Sequence, residues 1–210
     1  MRGDDLYSRS APYKTIMANI TVKEKEIGSF EKMKKISGAL SSEFHYKNKM
    51  AAPKLKKVVL NIGTGTAIKK DKNKNIFISE RLAKITGQKA SLRGAKKSIS
   101  SFKIRQGEPV GVVVTLHGAR MYAFLEKLFN IALPRTKDFR GISRKVVDNI
   151  GNLTIGIKEH TIFPETADED IKDVFGLSIT IVSTAKNQKE GLAFYELLGV
   201  PFKKEEEKKK

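Results

Sequence analysis

The segment from Gly87 to Leu116 most constrains the fold, because it places a long basic loop between two strand-like runs. The second run, Pro109 to Leu116, is rich in β-branched residues, which favours an extended strand. Between Arg81 and Gly107 the chain contains no Asp or Glu. The basic residues of this acid-free window are Arg81, Lys84, Lys89, Arg93, Lys96, Lys97, Lys103 and Arg105. The segment therefore predicts a β-hairpin with a cationic arm.

The loop of this arm, residues 93–108, has few side chains that a core could bury. Its large apolar residues are Ile99, Phe102 and Ile104, too few to offset the entropy of ordering so many positions. We therefore expect the free arm to be mobile. An aromatic side chain among lysines and arginines suits a polyanion with stackable bases. We favour a nucleic-acid contact over the alternative, a charged loop that is merely solvated.

The composition of the whole chain agrees with a polyanionic partner. The 210 residues include 41 Lys and Arg against 23 Asp and Glu, which leaves a formal net charge of +18. Such a chain binds phosphate groups, those of nucleic acid before those of membranes. The absence of Cys excludes disulfides and thiolate metal sites. No apolar run approaches the roughly 18 residues of a membrane span, and the N-terminus lacks a signal-peptide core, so we expect a cytoplasmic protein without membrane contact.

Apolar periodicity predicts four helices. Residues 25–46 and 73–86 carry apolar side chains at intervals of three and four, and Gly87 ends the second stretch. The clearest pattern spans 121–132 and stops before Pro134. A final helix follows Asn187, its predicted cap. The predicted strands are residues 54–63, 109–116, 152–159 and 177–185, with a further strand before the basic arm.

The remaining segments indicate loops and termini. Residues 134–152 are basic and punctuated by glycine, which favours a surface loop or hairpin. The acidic run 163–174 is typical of a helix N-terminus and lacks the pattern of a calcium loop. We predict an α+β fold with an antiparallel or mixed sheet, in one RNA-binding domain of residues 24–202. Residues 1–23 would be a disordered extension, with Met17 as an alternative start, and 203–210 a charged tail.

Signatures of catalysis are missing from the sequence. His45, His117 and His160 have no ligand spacing, and no G-x-S-x-G or S-x-x-K pattern places a nucleophile beside a base. The glycines at 63 and 65 lack the remainder of a phosphate-binding loop, so a plain turn is expected there. We predict no catalytic residue, no metal and no cofactor.

Five ordered blocks of sequence resemble the bacterial type of the large-subunit ribosomal protein five family, which binds 5S rRNA. The blocks are KVVLNIG (57–63), TGQKASLRGAKKSISSFKIRQGEPVG (86–111), VTLHGARMYAFLEKLFNIALPRTKDFRGIS (114–143), GNLTIGIKEHTIFPE (151–165) and LSITIVSTAK (177–186). The resemblance covers residues 36–202. It implies a bent antiparallel sheet with helices on one face, RNA on the other, and a long basic β-hairpin arm.

The resemblance also implies where 5S rRNA binds, on polar residues of the sheet face with basic residues nearby. The candidates are Lys54, Lys57, Asn61, Gln88, Lys89, Lys97, Ser98, Thr115 and His117. Amides and hydroxyls would bond RNA directly, while lysines would raise affinity without reading sequence. Without the resemblance, Asn61 and Thr115 read as ordinary exposed strand positions. His117 and Ile150 stand where the family usually has Arg, so each loses a permanent charge.

Two further contact surfaces follow from the resemblance. The arm would reach the P-site tRNA and adjacent rRNA through Arg93, Lys96, Ser100, Phe102, Lys103 and Arg105. The loop containing DFRGIS would approach a small-subunit head protein through Arg135, Lys137, Arg140, Arg144 and Lys145.

The predicted function is therefore a structural constituent of the large ribosomal subunit. Its expected partners are 5S rRNA and 23S rRNA in the central protuberance, P-site tRNA, and neighbouring central-protuberance proteins. An RNA-modifying enzyme is one alternative, which would need a cofactor pocket or clustered titratable residues. A free-standing RNA chaperone is another, and it would show little preference among RNAs.

Overall fold

The computed structural model describes residues 30–65, 73–137, 139–166 and 174–203. Its α-helices are α1 (Phe30–Phe44), α2 (Lys74–Thr86), α3 (Gly118–Lys127) and α4 (Gln188–Leu198). Its strands are β1 (Leu55–Gly63), β2 (Ser91–Gly94), β3 (Pro109–Leu116), β4 (Leu153–Ile157) and β5 (Leu177–Ser183). The predicted N-terminal extension, most of the acidic run and most of the charged tail lie outside the described residues.

Within the described residues, the five strands form one sheet in the order β2-β3-β1-β5-β4. Every neighbouring pair is antiparallel. Strands β2 and β3, which flank the basic arm, pair directly, with Ser91 opposite Val113 and Arg93 opposite Gly111. The predicted α+β class is therefore confirmed, and its sheet is antiparallel rather than mixed.

The two faces of the sheet differ because side chains alternate along each strand. In β1, Val58, Leu60 and Ile62 are buried, whereas the intervening residues are partly or fully exposed. Strands β4 and β5 alternate in the same way. The buried residues join apolar side chains from all four described helices in one core. Helices thus cover one face of the sheet and leave the other open.

Local signals explain the bounds of α2. The helix follows Asn73 and ends at Gly87, whose backbone is left-handed with φ of +66°. Glycine adopts this conformation at little cost, and its N–H donates to the carbonyl of Ala83. Both ends of this helix agree with the prediction.

The helix predicted over 121–132 differs from the observed one. Helix α3 begins three residues before the predicted start, at Gly118, and its α-helical hydrogen bonding ends at Lys127. A π-helical turn, Leu128–Ala132, completes the segment, and the N–H of Leu133 donates to the carbonyl of Leu128. The six residues of the predicted apolar face are all buried, and they are Met121, Phe124, Leu125, Leu128, Phe129 and Ala132.

The position at which α4 begins agrees with the prediction, but the capping contact does not. Asn187 occupies the N-cap position, but its side chain makes no capping hydrogen bond. Instead, the carboxylate of Glu190 accepts from the backbone N–H of Lys186 at 2.8 Å and from the hydroxyl of Tyr46. Glu190 is only 5% exposed, so these donors satisfy a buried carboxylate. The contact ties the residues after α1 to the first turn of α4.

The basic segment 134–152 is a loop, as predicted, with a short 3-10 helix, Arg144–Val146. Its backbone is anchored near Ile142, whose N–H donates to the carbonyl of Pro201 at 2.8 Å. The N–H of Lys203, the first residue of the predicted tail, donates to the carbonyl of Ile142 at 2.8 Å. The chain beyond α4 therefore holds this loop.

Candidate RNA interface

We use the term open face for the side of the sheet that the helices leave uncovered. It displays Val59, Asn61, Val113, Thr115, Thr154, Gly156, Ser178 and Thr180. The strand register arranges these residues in two rows. The first row contains Thr115, Val59, Thr180 and Thr154. The second contains Val113, Asn61, Ser178 and Gly156.

The chemistry of the open face is polar but uncharged over most of its width. Strands lie about 4.8 Å apart, so the first row spans about 14 Å from β3 to β4. The hydroxyls of Thr154 and Thr180 lie 3.2 Å apart and form a hydrogen-bonded pair. Lys57, opposite Val182, brings a positive charge to one end of this face. Hydroxyl and amide groups on a flat surface suit ribose hydroxyls and base edges.

The structure places the candidate residues Asn61 and Thr115 in adjacent rows of the open face. Gln88 is not on a strand, but its side-chain amide donates to the carbonyl of Thr115 at 3.1 Å. The turn that carries it is fixed by the Thr86 hydroxyl, which donates to the carbonyl of Leu82 at 2.7 Å and lies 3.3 Å from the N–H of Gln88. Gln88 and the following Lys89 therefore lie beside the end of β3 that carries Thr115.

Ser98 was expected on the sheet face, and this placement is wrong. It lies in the arm, outside the five-stranded sheet, and its hydroxyl donates to the carbonyl of Ile104 at 3.1 Å. The motif that contains it continues from β2 without a break, so sequence adjacency alone did not separate sheet from arm. Lys97 lies in the arm as well.

The arm between β2 and β3 folds back on itself. Ile99 pairs with Ile104, and the N–H of Lys103 donates to the carbonyl of Ser100 at 2.9 Å, which closes a tight turn. At this tip Phe102 is 61% exposed and Lys103 has a left-handed backbone, with φ of +51°. The arm's base is closed by the N–H of Ala95, which donates to the carbonyl of Glu108 at 2.8 Å.

The remaining basic candidates of the arm, Arg93, Lys96, Lys97 and Arg105, are all exposed. The backbone N–H of Arg105 donates to the carboxylate of Glu108 at 3.0 Å. The first acidic residue after the acid-free window thus stabilises the turn at the base of the arm.

His117 and Lys54 lie near the end of the sheet. His117 precedes α3, and its Nδ1 lies 3.2 Å from the carbonyl oxygen of Lys56. Because a carbonyl only accepts, Nδ1 is the donor in this contact. Lys54 is exposed and its backbone N–H donates to the hydroxyl of Thr184.

The five basic candidates of the loop, Arg135, Lys137, Arg140, Arg144 and Lys145, are exposed. Arg135 and Lys137 line an open groove of about 760 Å³ between this loop and β4, with Phe139 and Ile142 among its apolar walls. Arg144 forms an ion pair with Glu196, with 3.0 Å between Nη2 and Oε1. Part of its charge is therefore compensated within the chain.

A charged link that sequence reasoning missed supports the residues before Gln88. The ammonium of Lys127 donates to the carbonyl of Ile85 at 2.6 Å and to the carboxylate of Glu165 at 2.5 Å. A cation at the C-terminal end of α2 also interacts favourably with its helix dipole. No sequence signal connects these three residues, which lie far apart in the chain.

His160 belongs to the core. It is buried, its ring stacks on Phe175 with 4.0 Å between centroids, and its Nδ1 accepts from the N–H of Phe175 at 3.4 Å. Burial, with the nearby charge of Arg81, lowers the pKa of His160, which keeps the ring neutral.

Among the described residues, no group of three or more His, Asp or Glu is placed to hold a metal ion. In the same part of the chain, no helix is long and apolar enough to cross a membrane.

Comparison with known proteins shows that this chain is a ribosomal protein. The family described as "Ribosomal protein L5" matches residues 48–105, and the model that describes the C-terminus of the same family matches residues 109–202. The chain belongs to the ribosomal protein L5 family.

Two curated relatives match this chain over nearly their whole length. The large ribosomal subunit protein uL5 of Trichlorobacter lovleyi is 51% identical over 164 residues, which cover 78% of this chain and 91% of the relative. That of Desulfatibacillum aliphaticivorans is 51% identical over 174 residues, 83% of this chain and 97% of the relative. The predictions of a ribosome-associated protein of the large subunit, located in the cytoplasm and not an enzyme, are confirmed by this membership.

Proposed function

We propose that the open face binds 5S rRNA and attaches it to the large subunit, with Asn61 and Thr115 as central contacts. The observation that carries this proposal is the contrast between the two faces of the sheet. Helices bury most of one face, while the other presents hydroxyls and an amide to solvent in a chain of net charge +18. An antiparallel sheet can leave one face in water, so this face is free to receive a partner.

Charged side chains and uncharged hydrogen-bonding side chains have separate roles in this proposal. Lys54, Lys57 and Lys89 border the open face and attract the phosphate backbone, which gives affinity that falls as salt rises. The uncharged groups between them then select RNA by hydrogen bonds to riboses and base edges. Gln88, held against the Thr115 carbonyl, and His117, held against the Lys56 carbonyl, extend these contacts along one border.

The arm is proposed to contact P-site tRNA and adjacent 23S rRNA. Its tip carries the exposed ring of Phe102 beside Lys103, which combines a stacking surface with a positive charge. The tip is held by backbone pairing with little apolar burial, so the arm can adapt to its RNA. Ser100, Arg93, Lys96 and Arg105 supply further polar and charged contacts along the arm.

The basic loop is proposed to face a small-subunit head protein, with the chain seated beside other proteins of the central protuberance. Arg135, Lys137, Arg140 and Lys145 are exposed on it, and its backbone is tied to residues 201–203. An anchored basic loop suits a charged contact across the subunit interface.

Binding of purified protein to 5S rRNA tests the proposal. Asn61→Ala and Thr115→Val should each weaken binding by about three- to tenfold, because each removes one or two hydrogen bonds. Their salt dependence should stay unchanged, whereas Lys57→Gln and Lys89→Gln should each lower the salt slope by about one unit. Lys189→Gln, on the exposed side of α4, is the control and should bind as the unaltered protein does.

The alternative of a free-standing chaperone gives a different result in the same experiment. A free-standing chaperone would bind an unrelated RNA of equal length as tightly as 5S rRNA. If the unaltered protein shows no preference for 5S rRNA at moderate salt, the proposed function is wrong.

A further inference from the structure

The outer edge of β4 has backbone groups that the sheet does not pair. β4 is the last strand in the order β2-β3-β1-β5-β4, so only its inner edge is bonded to another strand. On the outer edge, the N–H of Asp148 donates to the carbonyl of Asn152 at 2.9 Å. Backbone groups alternate in direction along a strand, so Thr154 and Gly156 also direct their N–H and C=O groups outward. Among the described residues, these four groups have no hydrogen-bond partner.

The groove of about 760 Å³ between the basic loop and β4 runs along this edge, and we call it the edge groove. Its lining includes every residue from 154 to 159, although successive side chains of a strand point to opposite faces of the sheet. Only a groove beside the strand, in the plane of the sheet, contacts all of them. Strand spacing, rise and sheet thickness give about 160 Å³ for each residue of a strand, so the groove has room for about five residues of an added strand.

The side chains around the edge groove suit a partner that is both apolar and acidic. Phe139 and Ile142 on the loop face Ile155 and Ile157 on the strand, which gives the groove apolar walls. Among the described residues that line it, three are cations and one is an anion, and they are Arg135, Lys137, Lys158 and Glu159. A strand with alternating apolar and acidic side chains would pack one set on the walls and place the other beside the cations.

We propose that the edge groove binds an extended segment of another protein, with alternating apolar and acidic residues, as an added strand beside β4. Hydrogen bonds to the backbone of Thr154 and Gly156 supply affinity, and the alternate side chains supply selectivity, as in other cases of β-strand addition. The inference adds a partner to those proposed above. It depends neither on RNA binding by the open face nor on a charged contact of the exposed loop residues.

RNA and a second copy of the chain fit the edge groove less well. A phosphate backbone accepts hydrogen bonds but has few donors for the outward carbonyls, and it leaves the apolar walls uncovered. Two copies, each of net charge +18, repel one another. Residues 154–157 contain no proline, charge or bulge of the kind that protects an edge strand from pairing. A protein strand of opposite charge therefore matches the groove best.

Titration with a short peptide tests whether the edge groove accepts such a strand. The probe is a blocked peptide in which glutamate alternates with valine, and the reference peptide has lysine in place of glutamate. Each exposed ion pair contributes modestly, so three cations together should make the glutamate peptide bind about tenfold more tightly than the lysine peptide. Equal binding of the two peptides would contradict the proposal.

Hydrogen exchange followed by NMR locates the bound peptide. With the glutamate peptide at about ten times its Kd, exchange of the Gly156 amide should slow about tenfold, whereas that of Ile155, which faces β5, should not change. Binding that leaves Gly156 unprotected would contradict the proposal. Protection of Gly156 in the free protein would also contradict it, because the chain itself or a second copy would then cover the edge.

Two variants separate the backbone contact from the charge contact. Gly156→Pro removes the outward N–H and no bond to β5, so it should weaken binding of the glutamate peptide by about three- to tenfold. Gly156→Ala keeps the N–H and adds a methyl group in open space, so it should have less effect. Lys137→Glu should weaken binding about threefold or more, whereas Lys189→Glu, the same charge change on the exposed side of α4, should not. If Gly156→Pro melts early, the two lysine variants decide.

Cross-linking in purified ribosomes that contain the protein tests the natural occupant. A photoreactive phenylalanine in place of Lys158, which lines the edge groove, should link to a protein segment of the stated chemistry. A link to RNA, or none, would contradict the proposal. Failure here is distinct from failure of the proposed function, since 5S rRNA preference is measured separately and on the unaltered protein.

Discussion

Replacing Gly191 by alanine should destabilise the protein, although alanine is the better helix former. Gly191 lies in the first turns of α4, where its backbone faces Gly151. A Cβ on Gly191 would lie 2.7 Å from the Cα of Gly151 and 3.1 Å from its carbonyl oxygen. Gly151 has little room to retreat, since its carbonyl accepts from the hydroxyls of Ser183 at 2.8 Å and Tyr195 at 3.1 Å.

The expected magnitude comes from two opposing contributions. Overpacking a core position costs about 1–3 kcal/mol. Alanine in place of glycine in a helix gains about 0.5–1 kcal/mol. The net loss for Gly191→Ala should be about 1–2 kcal/mol in the free energy of unfolding, a sizeable part of the total of about 5–15 kcal/mol for a domain.

Gly38→Ala supplies the matched control for this change. Gly38 is exposed in the middle of α1, and a Cβ there meets nothing within 4 Å. It should therefore stabilise the protein by about 0.5–1 kcal/mol. Urea unfolding followed by circular dichroism measures both variants. Equal stabilisation by the two substitutions would refute the close packing of α4 against the loop that contains Gly151.

Three further predictions concern stability and motion. Tyr46→Phe should cost about 1.5–3 kcal/mol in urea unfolding, because it removes a hydrogen bond to the buried Glu190 carboxylate; an unchanged midpoint would contradict this link. Although slight burial opposes it, hydrogen bonds from Asn152, Ile150 and Gly151 hold the pKa of Asp148 below its ordinary value. Its contribution to stability should therefore be present above about pH 4 and be lost as pH falls through the lowered pKa, and Asp148→Asn should lose less stability over that range. Amide exchange of the free protein should be fast from 93 to 108, and strong protection there would refute the predicted mobility.

Local signals in the sequence were sufficient for much of the fold. The end of α2 at Gly87 and the strands in KVVLNIG and LSITIVS follow from spacing and backbone preference within a few residues. The π-helical turn after α3 was not predictable in this way, because the spacing of the buried Leu128 and Phe129 is the same as in an uninterrupted α-helix. The capping role of Glu190 depends on Tyr46, which is 144 residues away.

The candidate site was predictable only in part. Motif resemblance suggested Asn61 and Thr115, but it also assigned Ser98 to a sheet that it does not join. Thr180 and Gly156 were missed, because only the register of β1, β5 and β4 places them in the same rows as Val59 and Asn61. The alternation of hydroxyls with isoleucines in LSITIVS was the one local signal that pointed to them.

Photo-cross-linking from the centre of the sheet tests the central claim most directly. A photoreactive phenylalanine replaces Val59, which lies between Thr115 and Thr180 on the open face, and in a second protein it replaces Lys189 on α4. After binding to 5S rRNA at moderate salt, irradiation should link RNA to position 59 and leave position 189 unlinked. Cross-links from position 189, with none from position 59, would contradict the assignment of RNA to the open face.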